Sequence, residues 1–140
     1  MHVRSLGHVV LKVRDLQRSE AFYAETLGIE VVGRISKPVH MTFFTLGHHH
    51  DFALMELDAG WVPADPRAPG LAHVAFEIGE SVSELRAAKA ELESAGVVID
   101  ELQRREFAES IYLLDPDANQ VELFVYTSAN GRPPTSGPSS

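Results

Sequence analysis

The hydrophobic pattern along the chain switches between two periods. Gly7 to Val13 (Gly-His-Val-Val-Leu-Lys-Val) is short, β-branched and mostly apolar, as a strand should be. Leu16, Ser19, Phe22, Tyr23 and Leu27 then recur at helical spacing. Asp15 stands before them as a candidate N-cap, and Gly28 follows where a C-capping glycine belongs. Ile29 to Ile35, Met41 to Leu46 and Phe52 to Leu57 read as three more strands. Between Asp58 and Gly70, three prolines, two glycines and one tryptophan mark a linker. The pattern then returns. Ala72 to Ile78 looks like the first strand again. Ser81 or Ser83 can cap a helix with Leu85, Ala88, Leu92 and Ala95 on one face, ended by Gly96. Val97 to Ile99, Ser110 to Leu114 and Gln120 to Tyr126 are strands, the last two joined by the turn Asp115-Pro116-Asp117-Ala118-Asn119.

The return is a repeat of about sixty residues. His8 to His73 is 65 residues and Glu56 to Glu122 is 66; His8 to Glu56 is 48 and His73 to Glu122 is 49. The predicted fold is α+β: two βαβββ modules, residues 1–58 and 70–127, forming one domain as a curved mixed sheet around a cavity. Ser128 to Ser140 holds three prolines, two glycines and no large apolar side chain, so a disordered tail is expected there.

Composition narrows the function. The 140 residues include no cysteine, which excludes disulfides, thiolate metal centres and a thiol nucleophile. A net charge of −8 argues against a nucleic-acid surface. No apolar run approaches the ~20 residues that span a bilayer, and the chain enters a strand-like segment with no signal-peptide pattern. A cytoplasmic location is expected.

Seven histidines remain to be placed. One histidine in an apolar first strand is most simply a satisfied polar side chain. Two at matching repeat positions, each with a carboxylate on the last strand of its module, are better read as ligands. Facing half-sheets would bring His8 and His73 together with one or both of Glu122 and Glu56. That is a mixed nitrogen and oxygen set suited to iron(II), zinc, manganese or nickel.

These features resemble the vicinal oxygen chelate superfamily: the repeat, Val13-Arg14-Asp15-Leu16 through Phe22-Tyr23 to Leu27-Gly28, and Asp115-Pro116-Asp117 before Val121-Glu122-Leu123. That superfamily includes glyoxalase I, type I extradiol dioxygenases, methylmalonyl-CoA epimerase, fosfomycin-resistance enzymes and bleomycin-binding proteins. The resemblance runs from Leu6 to Tyr126 and implies His8, His73 and Glu122 as metal ligands, with Glu56 in the position of a fourth. His50-Asp51, at the end of a histidine triplet, is similar to the His-Asp pair of extradiol dioxygenases, which implies an acid/base role for His50. Tyr112, ten residues before Glu122, is similar to the ring-cleavage tyrosine that contacts the substrate.

The resemblance thus implies an iron(II) extradiol dioxygenase acting on a catechol-like aromatic with O2, as a homodimer. Strand faces and Trp61-Val62-Pro63 would line its pocket. Two departures stand out: Gln103 where those enzymes carry a histidine, and Ala118 where the turn usually has glycine. The alternatives are a glyoxalase- or epimerase-like isomerase or lyase with Glu56 as fourth ligand and base, and a metal-free antibiotic-binding protein.

Overall fold

The computed structural model describes residues 1–128. The tail expectation, after Ser128, falls outside the described residues. The chain divides into two compact units, Met1–Pro69 and the part from Gly70 onward. Each is a mixed four-stranded sheet with helix on the first connection.

In the first unit β1 is Val9–Val13, α1 Leu16–Ala21, β2 Glu30–Ile35, β3 Met41–Thr45 and β4 Phe52–Glu56. After α1 the helix widens into a π-helical turn, Phe22–Thr26. The strand order is β1-β4-β3-β2, with β1 and β4 parallel and the other pairs antiparallel. The second unit repeats this with β5 His73–Glu77, α2 Val82–Ser94, β6 Ile99–Arg104, β7 Ala108–Leu114 and β8 Gln120–Tyr126, in the order β5-β8-β7-β6. The α+β class and both βαβββ modules are as the sequence implies.

Local signals set the element ends. Asp15 caps α1, accepting the Arg18 N–H at 2.9 Å. Gly28 follows the π turn at φ +73°, a conformation that costs a side-chain-bearing residue but not glycine. Ser81, not Ser83, caps α2 and accepts from Glu84 N. Alternation then sorts the side chains. Leu11 and Val13 of β1, Thr42 and Phe44 of β3, and Phe52 and Leu54 of β4 are buried. Tyr23 packs on Phe52 and Phe44 at ring separations of 4.8 and 6.2 Å, so this is the face the helix covers. In the second unit Leu85 and Leu92 of α2 are buried, as are Phe76, Ile111, Leu113, Val121, Leu123 and Val125. Each such side chain contributes about 1.5–3 kcal/mol by leaving water.

β6 differs from expectation. It covers Ile99–Arg104 rather than ending at Ile99. It is an edge strand, so its polar residues can pair with β7 without a second apolar face; Arg104 reaches Glu109 across the ladder at 3.2 Å.

The registers match the two units residue by residue. Val10 pairs with Ala53, and Ala53 with Phe43; Ala75 pairs with Glu122, and Glu122 with Tyr112. Both edge pairs carry a bulge at the same place, between Val31 and Gly33 and between Ile99 and Glu101. By this match the counterpart of Glu122 is Ala53, and Glu56 corresponds to Val125.

Candidate metal and catalytic site

His8, His50 and Glu56 belong to the first unit, and His73, Tyr112 and Glu122 to the second. Each group is built by its own sheet.

In the second unit Glu122 sits between two diagonal neighbours. Its Oε2 lies 3.0 Å from Nε2 of His73, and its Oε1 accepts a 2.5 Å hydrogen bond from the Ser110 hydroxyl. Tyr112 stands directly across the ladder from Glu122. Its ring meets the His73 ring edge-on at 5.9 Å, and its hydroxyl is close enough to the Glu122 carboxylate to feel its charge. Burial pushes the Tyr112 pKa up, and the nearby Glu122 charge pushes it further, against the weaker pull of Arg105. The phenol therefore stays protonated at neutral pH and remains a donor. Arg105 Nη2 lies 3.5 Å from the Tyr112 hydroxyl and donates to Gln103 Oε1 at 3.3 Å. Gln103, in the place of the expected histidine, thus holds an arginine.

In the first unit the His8 and His50 rings pack at a tilt of 41° with centroids 4.9 Å apart, and Phe43 meets His50 edge-on at 5.5 Å. Phe43 alternates with the buried Thr42 and Phe44, so this cluster lies on the sheet face away from α1. The loop before β4 is shaped by Asp51. Its Oδ2 accepts from Leu46 N at 2.7 Å and from His48 N at 3.4 Å, and these backbone bonds hold its pKa below the usual carboxylate range. Asp51 thus shapes the turn, and the imidazole beside it is His48, at 3.5 Å. His50 is oriented by His8 and Phe43.

Glu56 is engaged elsewhere. Its Oε1 accepts the Leu16 N–H at the start of α1 (3.1 Å), and its Oε2 lies 3.0 Å from His40 Nδ1. It alternates with Met55 and shares parity with Phe52 and Leu54, which places it on the helix-covered face, opposite His8 and His50. Trp61 lies under the Arg14 guanidinium at 4.7 Å.

His73 and Glu122 present a nitrogen and an oxygen 3.0 Å apart, donor types that suit a divalent metal. In the first unit His8 has a second imidazole, that of His50, beside it. Among the described residues no three His, Cys, Asp or Glu side chains gather as a ready-made metal site. Ser110, His40 and Phe43 carry no motif. Only their register positions relative to Glu122, Glu56 and Ala53 mark them.

Comparison with known proteins agrees with this architecture. The chain is 32% identical over 123 residues to the glutathione transferase FosA of Serratia marcescens, covering 88% of this chain and 82% of that protein. It is 31% identical to biphenyl-2,3-diol 1,2-dioxygenase 3 of Rhodococcus globerulus over 84% of this chain, but spans only 61% of that enzyme. A glyoxalase/bleomycin resistance protein/dioxygenase domain from Frankia sp. EAN1pec superposes with a TM-score of 0.76 at 27% identity, covering 89% of this chain and 99% of that one. Residues 5–123 match the family model for these proteins, and the chain belongs to the Glyoxalase/Bleomycin resistance protein/Dioxygenase superfamily.

Proposed function

We propose that the protein is an iron(II)-dependent, extradiol-type oxygenase acting on a catechol-like aromatic with O2. Its ligands would be His8, His73 and Glu122, and its assembly a homodimer. The observation that carries this reading is the packing of His50 against His8, on the face from which Glu56 is turned away. A three-donor set leaves positions open for substrate oxygens and O2. A glyoxalase-like site would need Glu56 as fourth donor and base, and both Glu56 oxygens already have partners.

When bound, iron(II) would supply Lewis acidity and redox chemistry toward O2. The chain's own groups divide the remaining work. His50 holds or moves a proton at its imidazole next to His8. The Tyr112 hydroxyl, kept protonated, donates to a substrate oxygen and fixes the ring's orientation. Phe43 offers an apolar edge for an aromatic ring to pack against.

A second reading is favoured by the likeness to the glutathione transferase FosA: the same three ligands serving group transfer from a thiol. An oxygen electrode separates the two. Iron(II)-reconstituted protein is expected to take up one O2 per catechol consumed across a panel of catechols. No uptake, with loss of thiol when glutathione and an electrophile are supplied, would replace the oxygenase by the transferase.

A further inference from the structure

The Glu122 carboxylate is held at both ends, and the two ends differ. Glu122 is directly opposite Ala75 on one side and Tyr112 on the other. His73 is opposite Gln120 and Ser110 opposite Phe124, so both lie on diagonals, two residues to either side of Glu122. Oε2 is drawn toward His73, and Oε1 toward Ser110. His73 is 36% exposed, whereas Ser110 is 1% exposed and rigidly placed in the middle of β7. One oxygen therefore faces the open side with the imidazole, and the other is bound to a buried hydroxyl.

We propose that Ser110 is a positioning residue for the metal centre: its hydroxyl occupies Oε1 of Glu122 and presents Oε2 alone to the metal beside His73. The inference rests on the ligand reading above and deepens it. A carboxylate free at both oxygens can swing or chelate with both, taking up one of the positions that substrate needs. A hydroxyl donor on one oxygen fixes the rotamer and keeps ligation to a single oxygen, as outer-sphere hydrogen bonds to ligands do elsewhere. Tyr112 also stands directly across the ladder from Glu122, but its ring lies beside His73, where substrate would arrive. Ser110 is left as the donor with no second task.

The test is Co(II) titration of metal-free protein, with affinity from calorimetry and coordination from the d–d absorption of the bound ion. Ser110→Ala is expected to weaken Co(II) binding by about 10–100-fold and to change the spectrum. Ser110→Thr, which keeps the hydroxyl, should restore both, and a purely structural role of the serine would leave the spectrum of bound Co(II) unmoved. If the alanine variant does not fold, Ser110→Cys, a near-isostere and weaker donor, should fall between alanine and wild type. Wild-type affinity and spectrum in Ser110→Ala, or in Ser110→Cys where that variant stands in, would overturn the inference while leaving the ligand set intact. Unchanged Co(II) affinity in Glu122→Ala would instead overturn the ligand set, and the role of Ser110 with it.

Discussion

The two modules share a frame and differ in what they mount on it. Strand order, the parallel first and last strands, and the position of the edge bulge are the same. Yet the row across the middle of the first sheet is Val10, Ala53 and Phe43, and the corresponding row of the second is Ala75, Glu122 and Tyr112. The first module is apolar where the second carries a carboxylate and a phenol. In the first module two imidazoles, His8 and His50, meet just ahead of β1 and β4 instead. The frame is thus specified by helix-side residues such as Phe52, Leu54, Val121 and Leu123, while the opposite face is free to diverge. In the central row the second module carries a carboxylate, Glu122, where the first carries Ala53.

The comparison breaks most sharply at His50. If the first module contributes an acid/base through His50 and a ligand through His8, His50→Phe should keep bound iron and lower turnover of a catechol substrate by about 10²–10⁴-fold. Phenylalanine preserves packing against Phe43, so a stability change would not mask the result. An unchanged rate would reduce the His48–His50 segment to a solvated turn shaped by Asp51.

Glu56 sharpens the comparison from the other face. Glu56→Ala removes the acceptor for Leu16 N–H and the partner of His40, at a cost of about 1–2 kcal/mol in urea unfolding. Bound metal and its affinity should be unchanged, because the module-1 counterpart of Glu122 is Ala53. Loss of metal in Glu56→Ala with the fold intact would restore the four-ligand, isomerase-like reading.

Glu56 also shows what the sequence could and could not reveal. Caps and helix ends were legible because they are local: Asp15, Gly28, Ser81 and Gly96 act on residues within one turn. The modular repeat was legible because two strand–helix patterns recur with matched histidines. Register was not. Met55-Glu56-Leu57 and Val121-Glu122-Leu123 look alike, and spacings of 48 and 49 residues suggest equivalence. Pairing of β1 with β4 sets Glu56 opposite Val13, whereas pairing of β5 with β8 sets Glu122 opposite Ala75. An odd difference in strand position turns a side chain to the other face, and residue counting across loops of unequal length cannot detect it. The Ser110–Glu122 bond was hidden for the same reason, since it joins two strands on a diagonal.

The smallest effect concerns the turns that precede β4 and β8. In the first module the loop places glycine, Gly47, at φ +108°; in the second the turn places Ala118 at φ +65°. Asp115 organises the second turn, accepting from Asp117 N, Asn119 N and Asn119 Nδ2 at 2.8–2.9 Å, and this holds Ala118 in the left-handed region. That conformation costs an alanine roughly 1–2 kcal/mol, while glycine gives back about 0.5–1 kcal/mol through its freer unfolded chain. Ala118→Gly should therefore stabilise the protein by up to about 1 kcal/mol in urea unfolding. Co(II) affinity should not change, because the turn lies ahead of β8 and carries no donor of the proposed set. A destabilised Ala118→Gly protein would mean that the Asp115 bonds loosen once glycine frees the backbone. The turn would then owe its order to the alanine's restricted backbone as well as to the aspartate.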